Sequence, residues 1–162
     1  MSKQMNERKE IMKYIVKVVM LQVIILPLFF ISNVLGQCDD YESYMSDAYS
    51  YASDAYRFAK KAYRNYDDED YVERYSKKAY RNASYAYDAA QDAYAAAAEC
   101  NCDDGLSFAD QVSTYANAAY RYARKAYRNY DDEDYVERYS KKAYRNARDA
   151  ESTASSALGI CD

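Results

Sequence analysis

A seven-residue repeat of alanine followed by tyrosine restricts the fold of this chain more than any other feature. Alanine occupies positions 48, 55 and 62 and again 79, 86 and 93, and a tyrosine follows each one. From residue 37 onward there is no proline, and the only glycines are Gly105 and Gly159. A sustained apolar heptad without helix breakers is typical of packed α-helices. We expect the small alanines to let helix axes approach closely, with the tyrosines covering the sides of the contact.

A longer duplication divides the same region into two similar parts. The segment KAYRNYDDEDYVERYSKKAYRNA occurs at 61–83 and again, letter for letter, at 125–147, an offset of 64 residues. The sequence Cys-Asp-Asp at 38–40 aligns with 102–104 at the same offset, and Cys100 corresponds to Cys161. We therefore predict one repeat over 37–100 and a second over 101–162.

The four cysteines constrain how each repeat folds. Cys38, Cys100, Cys102 and Cys161 allow three ways of forming two disulfides. The simplest pairs Cys38 with Cys100 and Cys102 with Cys161, within each repeat. The chain must then reverse direction inside the repeat, because one continuous helix would separate Cys38 from Cys100 by about 90 Å.

The reversal is predicted at the acidic segment that follows Asn65. Consecutive carboxylates at 67–70 suit the first turn of a helix, where they oppose free backbone N–H groups. We expect Asp67 to cap that helix and Asn65 to end the preceding one in the left-handed conformation. Asp70 and Arg74 are spaced for an ion pair along the helix.

The predicted architecture is all-α. It consists of two tandem, disulfide-stapled antiparallel helical hairpins, with helices at about 41–65, 68–98, 107–129 and 132–157. The sequence leaves open whether the two hairpins pack together as one four-helix bundle.

Residues 1–36 have the pattern of a secretory signal peptide. A basic start precedes an apolar run from Val18 to Leu35, and small residues, Val34 and Gly36, precede Gln37. An uncleaved anchor is the alternative, since the run is close to spanning length. The polar, cysteine-bearing chain that follows favours cleavage. We expect a secreted, extracellular protein, suited to storage in secretory granules, without stable membrane association after cleavage.

Composition argues against several classes of function. From residue 37 onward there are 17 basic and 24 acidic side chains, a net charge of −7, which disfavours nucleic acid as a partner. The absence of histidine excludes the commonest catalytic base and transition-metal ligand. We expect no enzymatic activity and no cofactor. The acidic segments 67–70 and 131–134 could attract calcium, but they lack the spacing of an EF-hand loop, which favours a role as helix starts.

Tyrosine is the main chemical signal. The region after residue 36 holds 21 of the 22 tyrosines but only two leucines, Leu106 and Leu158. Phenols can be oxidised to quinones, which amines attack, or coupled to dityrosine, and Lys-Ala-Tyr places both groups together repeatedly. The candidate cross-linking residues are Tyr63, Tyr66, Tyr71, Tyr75, Tyr80, Tyr127, Tyr130, Tyr135, Tyr139, Tyr144, Lys61, Lys77, Lys78, Lys125, Lys141 and Lys142. Asn82-Ala83-Ser84 is a candidate N-glycosylation site at Asn82.

These features resemble the trematode eggshell synthesis domain proteins. The resemblance lies in the two Cys-Asp-Asp starts, the Lys-Ala-Tyr-Arg-Asn units and the closing cysteines Cys100 and Cys161. It implies a secreted structural protein of vitelline cells, whose tyrosines an external phenol oxidase converts into cross-links with itself or with other matrix proteins. The chain departs from glycine-tyrosine-rich eggshell proteins, because it has almost no glycine.

A second interpretation needs no covalent chemistry. Tyrosine offers large contact area at low entropic cost, so Tyr-rich helix faces also suit a secreted binding or effector protein. Such a protein would depend on one or two specific tyrosines, whereas a cross-linked precursor would tolerate their redistribution.

Overall fold

The structure, a computed structural model, describes residues 38–161. These residues contain four α-helices and no strand: α1 (38–64), α2 (Glu69–Glu99), α3 (Asp103–Arg128) and α4 (Glu133–Ala157). The predicted all-α class is confirmed. The predicted signal peptide at 1–36 lies outside the described residues.

The four helices form one antiparallel bundle. Helix α3 packs along both α2 and α4, while α2 and α4 barely touch and so lie diagonally opposite each other. Contacts such as the stacked rings of Tyr56 and Tyr144 close the ring of helices between α1 and α4. The two hairpins therefore pack together as a four-helix bundle, the arrangement that the sequence left open.

Alanine forms the middle of the core. Three successive layers each contain one buried alanine from every helix, and each alanine is at most 2% exposed. These layers are Ala52, Ala86, Ala116 and Ala150, then Ala55, Ala83, Ala119 and Ala147, then Ala59, Ala79, Ala123 and Ala143. Spacings of three and four residues along each helix keep these positions on one face, as in coiled coils. Side chains this small require the helices to approach closely, as the heptads predicted.

Larger residues and both disulfides close one end of the core, which we call the disulfide end. Tyr41, Met45 and Val112 are fully buried there. Cys38 pairs with Cys100 and Cys102 with Cys161, the pairing expected within each repeat, and their Cα atoms lie 5.7 and 5.8 Å apart. Each bridge closes a loop of about 60 residues, which corresponds to about 4 kcal/mol in the chain-entropy model.

The two repeats differ where their first helices begin. Position 41 holds tyrosine, and the equivalent position 105 holds glycine. The Tyr41 ring lies over Gly105, so that a Cβ at residue 105 would be 3.2 Å from Cε2 of that ring and 3.0 Å from Sγ of Cys102. A side chain at 105 is excluded because the ring and the Cys102–Cys161 disulfide already occupy its place.

The hairpin turns correct two details of the prediction. Asp68, not Asp67, is the N-cap of α2, and its carboxylate accepts a hydrogen bond from the Tyr71 N–H at 2.9 Å. Asn65 does not take the left-handed conformation. Its side-chain amide instead donates to the Lys61 carbonyl at 2.8 Å, which satisfies a free acceptor at the end of α1.

The left-handed residue is Asn101, in the junction between the hairpins. It has φ 58°, and the Cys102 N–H donates to the Ala97 carbonyl at 2.9 Å. The Asn101 N–H donates to the Ala98 carbonyl, which completes a Schellman motif. This motif ends α2 sharply, so that α3 starts only a few residues later.

Two buried serines interrupt the alanine pattern. Ser76 and Ser140 are equivalent in the two repeats, are 1% exposed, and have hydroxyl groups without a hydrogen-bond partner. We expect Ser76→Ala and Ser140→Ala each to raise the free energy of unfolding by about 1 kcal/mol, because an unpaired buried hydroxyl is costly. Denaturant unfolding of the purified variants measures this.

Ser113→Ala is the matched control. Ser113 is also buried, but its oxygen accepts a hydrogen bond from the Gln91 amide at 2.7 Å. We expect this variant to lose stability, since the amide is left without its partner. Equal losses at all three serines would contradict the assignment of Ser76 and Ser140 as unsatisfied.

Gly105→Ala tests the close contact at the disulfide end. The added methyl group would overlap the Cys102–Cys161 bridge and press on Tyr41. We expect a loss of about 1–3 kcal/mol in the free energy of unfolding, typical of overpacking. Tyr41→Ala combined with Gly105→Ala should cost less than the sum of the two single changes, and strict additivity would show that the two positions do not compete for space.

Candidate functional site

Two equivalent groups of aromatic and basic side chains lie on the hairpin seams near the turns. We call them the Tyr–cation clusters. The first contains Phe58, Lys61, Tyr71, Arg74, Tyr75 and Lys78, and the second contains Tyr122, Lys125, Tyr135, Arg138, Tyr139 and Lys142. Members correspond at the 64-residue offset, and the clusters differ in composition only at Phe58 and Tyr122.

Ring contacts build the base of each cluster. Tyr71 and Tyr75 are one helical turn apart on α2, and their ring centroids are 4.3 Å apart. Phe58 reaches across from α1 and stacks on Tyr75 at 6.0 Å. In the second cluster, the equivalent centroid distances are 4.2 Å for Tyr135–Tyr139 and 6.0 Å for Tyr122–Tyr139.

Three cations surround the inner tyrosine of each cluster. Around Tyr75, the Lys61 ammonium is 5.1 Å, the Arg74 guanidinium 5.2 Å and the Lys78 ammonium 5.7 Å from the ring centroid. Arg74 does not pair with Asp70 as the sequence predicted, because its guanidinium lies against the Tyr71 and Tyr75 rings. Cation–π contacts thus replace the expected helical ion pair.

The cations and the neighbouring phenol change the ionisation of the inner tyrosine. A hydrogen bond from Tyr71 and then the charges of Lys61, Arg74 and Lys78 lower the pKa of Tyr75. Tyr71 donates this hydrogen bond and must lose it on ionisation, so its own pKa is raised. Tyr139 and Tyr135 repeat this pattern, with the pKa of Tyr139 lowered and that of Tyr135 raised. A phenolate loses an electron more readily than a phenol, so the inner tyrosine is the more easily oxidised member.

A second set of tyrosines joins the two hairpins. On the seam between α1 and α4, the Tyr144 ring lies 5.4 Å from Tyr56 and 6.1 Å from Tyr63. The equivalent seam between α2 and α3 places Tyr80 6.1 Å from Tyr120 and 5.4 Å from Tyr127. Lys141 and Lys77 cover these rings, at 5.7 Å from Tyr63 and 5.9 Å from Tyr127.

The structure separates the predicted cross-linking residues by exposure. Tyr66 and Tyr130, in the hairpin turns, are exposed, and the other eight tyrosines of that set are half-buried in the seams. Among the lysines of the set, Lys61, Lys78, Lys125 and Lys142 are exposed, while Lys77 and Lys141 are half-buried.

Sequence reasoning missed the other exposed phenols. They are Tyr44, Tyr49, Tyr51, Tyr85 and Tyr94. All five lie outside the duplicated segment, and their equivalents in the second repeat are Phe108, Ser113, Tyr115, Asp149 and Leu158. Four of them, all except Tyr51, are replaced by another residue in the second repeat, and this difference was the available sequence signal.

Tyr41 is the one tyrosine of the described region whose side chain is fully buried. Burial, and then the Glu42 carboxylate, raise the pKa of Tyr41 to about 12. Its hydroxyl donates a long hydrogen bond of 3.4 Å to the Ala157 carbonyl. Tyr41 therefore has a structural position and is poorly placed for oxidation.

The predicted glycosylation site and the acidic segments lie within helices or at helix starts. Asn82 is half-buried within α2 and donates its amide to the Lys78 carbonyl at 2.9 Å, so glycosylation there stays a prediction. The acidic segments begin helices, with Asp68 and Asp132 as N-caps. Within residues 38–161, no group of three or more carboxylate or thiol side chains is arranged to hold a metal ion.

Comparison of the chain with protein-family models, with curated proteins and with solved structures finds no match. None of the helices in the described region has both the length and the hydropathy required to cross a membrane. The two disulfides fit folding in an oxidising compartment.

A tyrosinate titration followed by ultraviolet absorbance tests the clusters. We expect two phenols to ionise below the ordinary value of 10.0, and Tyr75→Phe with Tyr139→Phe to remove that early phase. Tyr71→Phe with Tyr135→Phe should shift the phase upward, because the hydrogen-bond donors are lost. An early phase that survives the change at Tyr75 and Tyr139 would contradict this assignment.

Proposed function

We propose that the protein is a secreted structural precursor whose tyrosines are oxidised and cross-linked into an extracellular matrix such as an eggshell. The observation that carries the proposal is the distribution of the tyrosines. Alanine fills the middle of the core, and apart from Tyr41 the phenols of the described residues lie on the seams and the surface. A bundle of this kind can expose oxidisable groups without giving up its packing. The resemblance to eggshell synthesis domain proteins supports the same function.

The chemistry requires an external oxidant. A phenol oxidase would use one O₂ to convert a tyrosine to dopaquinone, with release of one water. A lysine amine then adds to the quinone and forms a C–N bond without net oxidation. Alternatively, two tyrosines each lose one electron and one proton to an oxidant and form the C–C bond of dityrosine.

Exposure assigns different roles to different phenols. The exposed tyrosines can meet a second molecule and are suited to links between chains. The seam pairs, such as Tyr56–Tyr144 and Tyr80–Tyr127, connect the two hairpins and are suited to links within a chain. Within the clusters, Lys61 and Lys78 place amines beside Tyr75, which the lowered pKa makes the more oxidisable ring.

Treatment of the purified secreted protein with a phenol oxidase and O₂ tests the proposal. We expect covalent oligomers that survive reduction of the disulfides, with linked peptides containing exposed tyrosines. A variant with all seven exposed tyrosines changed to Phe (Tyr44, Tyr49, Tyr51, Tyr66, Tyr85, Tyr94 and Tyr130) should stay largely monomeric. Denaturing electrophoresis and peptide mass spectrometry report both results.

A matched variant controls for the number of phenols removed. It changes seven half-buried tyrosines to Phe: Tyr56, Tyr63, Tyr71, Tyr75, Tyr120, Tyr135 and Tyr139. We expect it to form oligomers like the unaltered protein. The proposal fails if the exposed-Phe variant cross-links as fast as the unaltered protein, or if protein isolated from its natural source is soluble with every tyrosine unmodified.

One observation favours a recognition role as a second candidate. Tyr51 and Tyr85 are both exposed, and their rings are 5.4 Å apart on the seam of the first hairpin. The second repeat has Asp149 in place of Tyr85, so only one such pair exists in this register. A binding protein would lose its partner on Tyr51→Ala or Tyr85→Ala alone, whereas a matrix precursor would still cross-link.

A further inference from the structure

The charges of the bundle are segregated along its long axis. Residues 38–56, 82–120 and 149–161 carry 13 acidic side chains and no basic one, and we call this part the acidic half. Residues 57–81 and 121–148 carry 17 basic and 10 acidic side chains, a formal charge of +7, and we call this part the basic half.

The antiparallel packing makes this segregation spatial. The layer of Ala59, Ala79, Ala123 and Ala143 lies within the basic half on all four helices. The layer of Ala52, Ala86, Ala116 and Ala150 lies within the acidic half on all four. Each half is therefore a continuous section of the bundle, with the disulfides in the acidic section and the hairpin turns at the end of the basic one.

Few cations of the basic half pair with carboxylates. Among the described residues, the ion pairs are Arg57–Asp54 at 2.8 Å and Arg148–Asp149 at 3.3 Å, both at the boundary between the halves. Most of the lysines and several arginines lie over aromatic rings instead, as in the Tyr–cation clusters. Their charges are thus not neutralised within the molecule.

The basic half also has a groove suited to acidic side chains. It has a volume of about 340 Å³ along α4. Arg138, Lys141, Lys142 and Arg145 line it together with one carboxylate, that of Glu137.

The acidic half presents the complementary surface. Asp47, Asp92, Glu99 and Asp110 are exposed there without a basic neighbour in the same half. The exposed phenols Tyr44, Tyr49, Tyr51, Tyr85 and Tyr94 belong to the same half. Tyrosine and opposite charge together are typical of contact surfaces between proteins.

We propose that the basic half of one molecule binds the acidic half of a second copy of this chain, with the two bundles parallel and displaced along their axes. The centres of the halves on α1, near residues 61 and 47, differ by 14 residues, which corresponds to a displacement of about 20 Å. At this displacement the acidic turns of one copy lie close to the boundary between the halves of the next copy, where Arg57 and Arg81 are the nearest cations on α1 and α2. An antiparallel pair with full overlap would place acidic turns against acidic disulfide ends.

The contact joins two different surfaces, so each added copy offers both surfaces again. Because each contact also displaces the copies along their axes, the series cannot close into a ring and produces an open assembly. The association does not depend on oxidation. It does place the exposed phenols of one copy beside the lysines of the next, which is the geometry that the proposed matrix chemistry needs.

Sedimentation of the purified secreted protein, without any oxidase, tests the association. We expect assemblies larger than dimers at low ionic strength that dissociate in 1 M salt, where the Debye length is about 3 Å. A protein that stays monomeric at low ionic strength, or that stops at a closed dimer, would overturn the proposal. Neither result would bear on oxidation, which the phenol oxidase experiment measures separately.

Two charge-reversal variants identify the surfaces. The basic-half variant is Lys61→Glu, Lys78→Glu, Lys125→Glu and Lys142→Glu. The acidic-half variant is Asp47→Lys, Asp92→Lys, Glu99→Lys and Asp110→Lys. We expect each variant alone to be monomeric at low ionic strength. An equimolar mixture should form a 1:1 complex that grows no further, because each variant retains one functional half.

The variants also separate a specific contact from an effect of net charge. The acidic-half variant has almost no net charge, so an effect of net charge alone would increase its self-association rather than abolish it. A basic-half variant that fails while the acidic-half variant still assembles would show a different docking surface and overturn the proposal. Replacement of the same four lysines by Arg keeps the charge and should preserve assembly, and circular dichroism checks the fold of every variant.

Discussion

Four helices pack alanine against alanine along the middle of the bundle, and the positions of the tyrosines and cations follow from this packing. Three consecutive layers contain one alanine from each helix, and larger apolar residues are buried at the two ends of the core, Tyr41, Met45 and Val112 at one and Val72 and Val136 at the other. A layer of alanines buries little apolar area, so it contributes less hydrophobic stabilisation than a layer of leucines. The disulfides and the aromatic rings beside the core therefore contribute much of the stabilisation of the helix packing.

The positions beside the core explain why tyrosine suits this bundle. With the helix axes close together, a side chain next to a core position lies along the seam, half covered by the neighbouring helix. Tyrosine covers that seam with its ring and keeps its hydroxyl in water. Lysine and arginine then rest on the exposed ring faces, as Lys61 and Arg74 do on Tyr75. One arrangement thereby supports packing, positions amines and lowers a phenol pKa.

The two repeats have equivalent tyrosines on the seams that join the hairpins, but their exposed tyrosines differ. Tyr80 contacts Tyr120 and Tyr127, and the equivalent residue Tyr144 contacts Tyr56 and Tyr63, although the angles between the rings differ. The exposed phenols outside the hairpin turns, by contrast, belong to the first repeat. Tyr41 covers Gly105 because there is room for only one of the two equivalent side chains at the disulfide end. Duplication thus preserved what packing requires and left the surface free to differ.

Sequence patterns alone predicted the helices and the reversal of the chain inside each repeat, and they made the observed disulfide pairing the simplest of three. Heptad alanines, the acidic turn after Asn65 and cysteines at the repeat ends are local or periodic signals that can be read without knowing which helices pack together. The sequence could not decide which acid caps α2, because Asp67 and Asp68 are chemically equal and only the path of the chain selects Asp68. It also could not show that the hairpins share one core, or that Arg74 lies on tyrosine rings instead of pairing with Asp70. Nor could it show that the basic segments of all four helices lie at the same level along the bundle axis. These features depend on which residues of distant segments face each other, and only the packing of the four helices decides that.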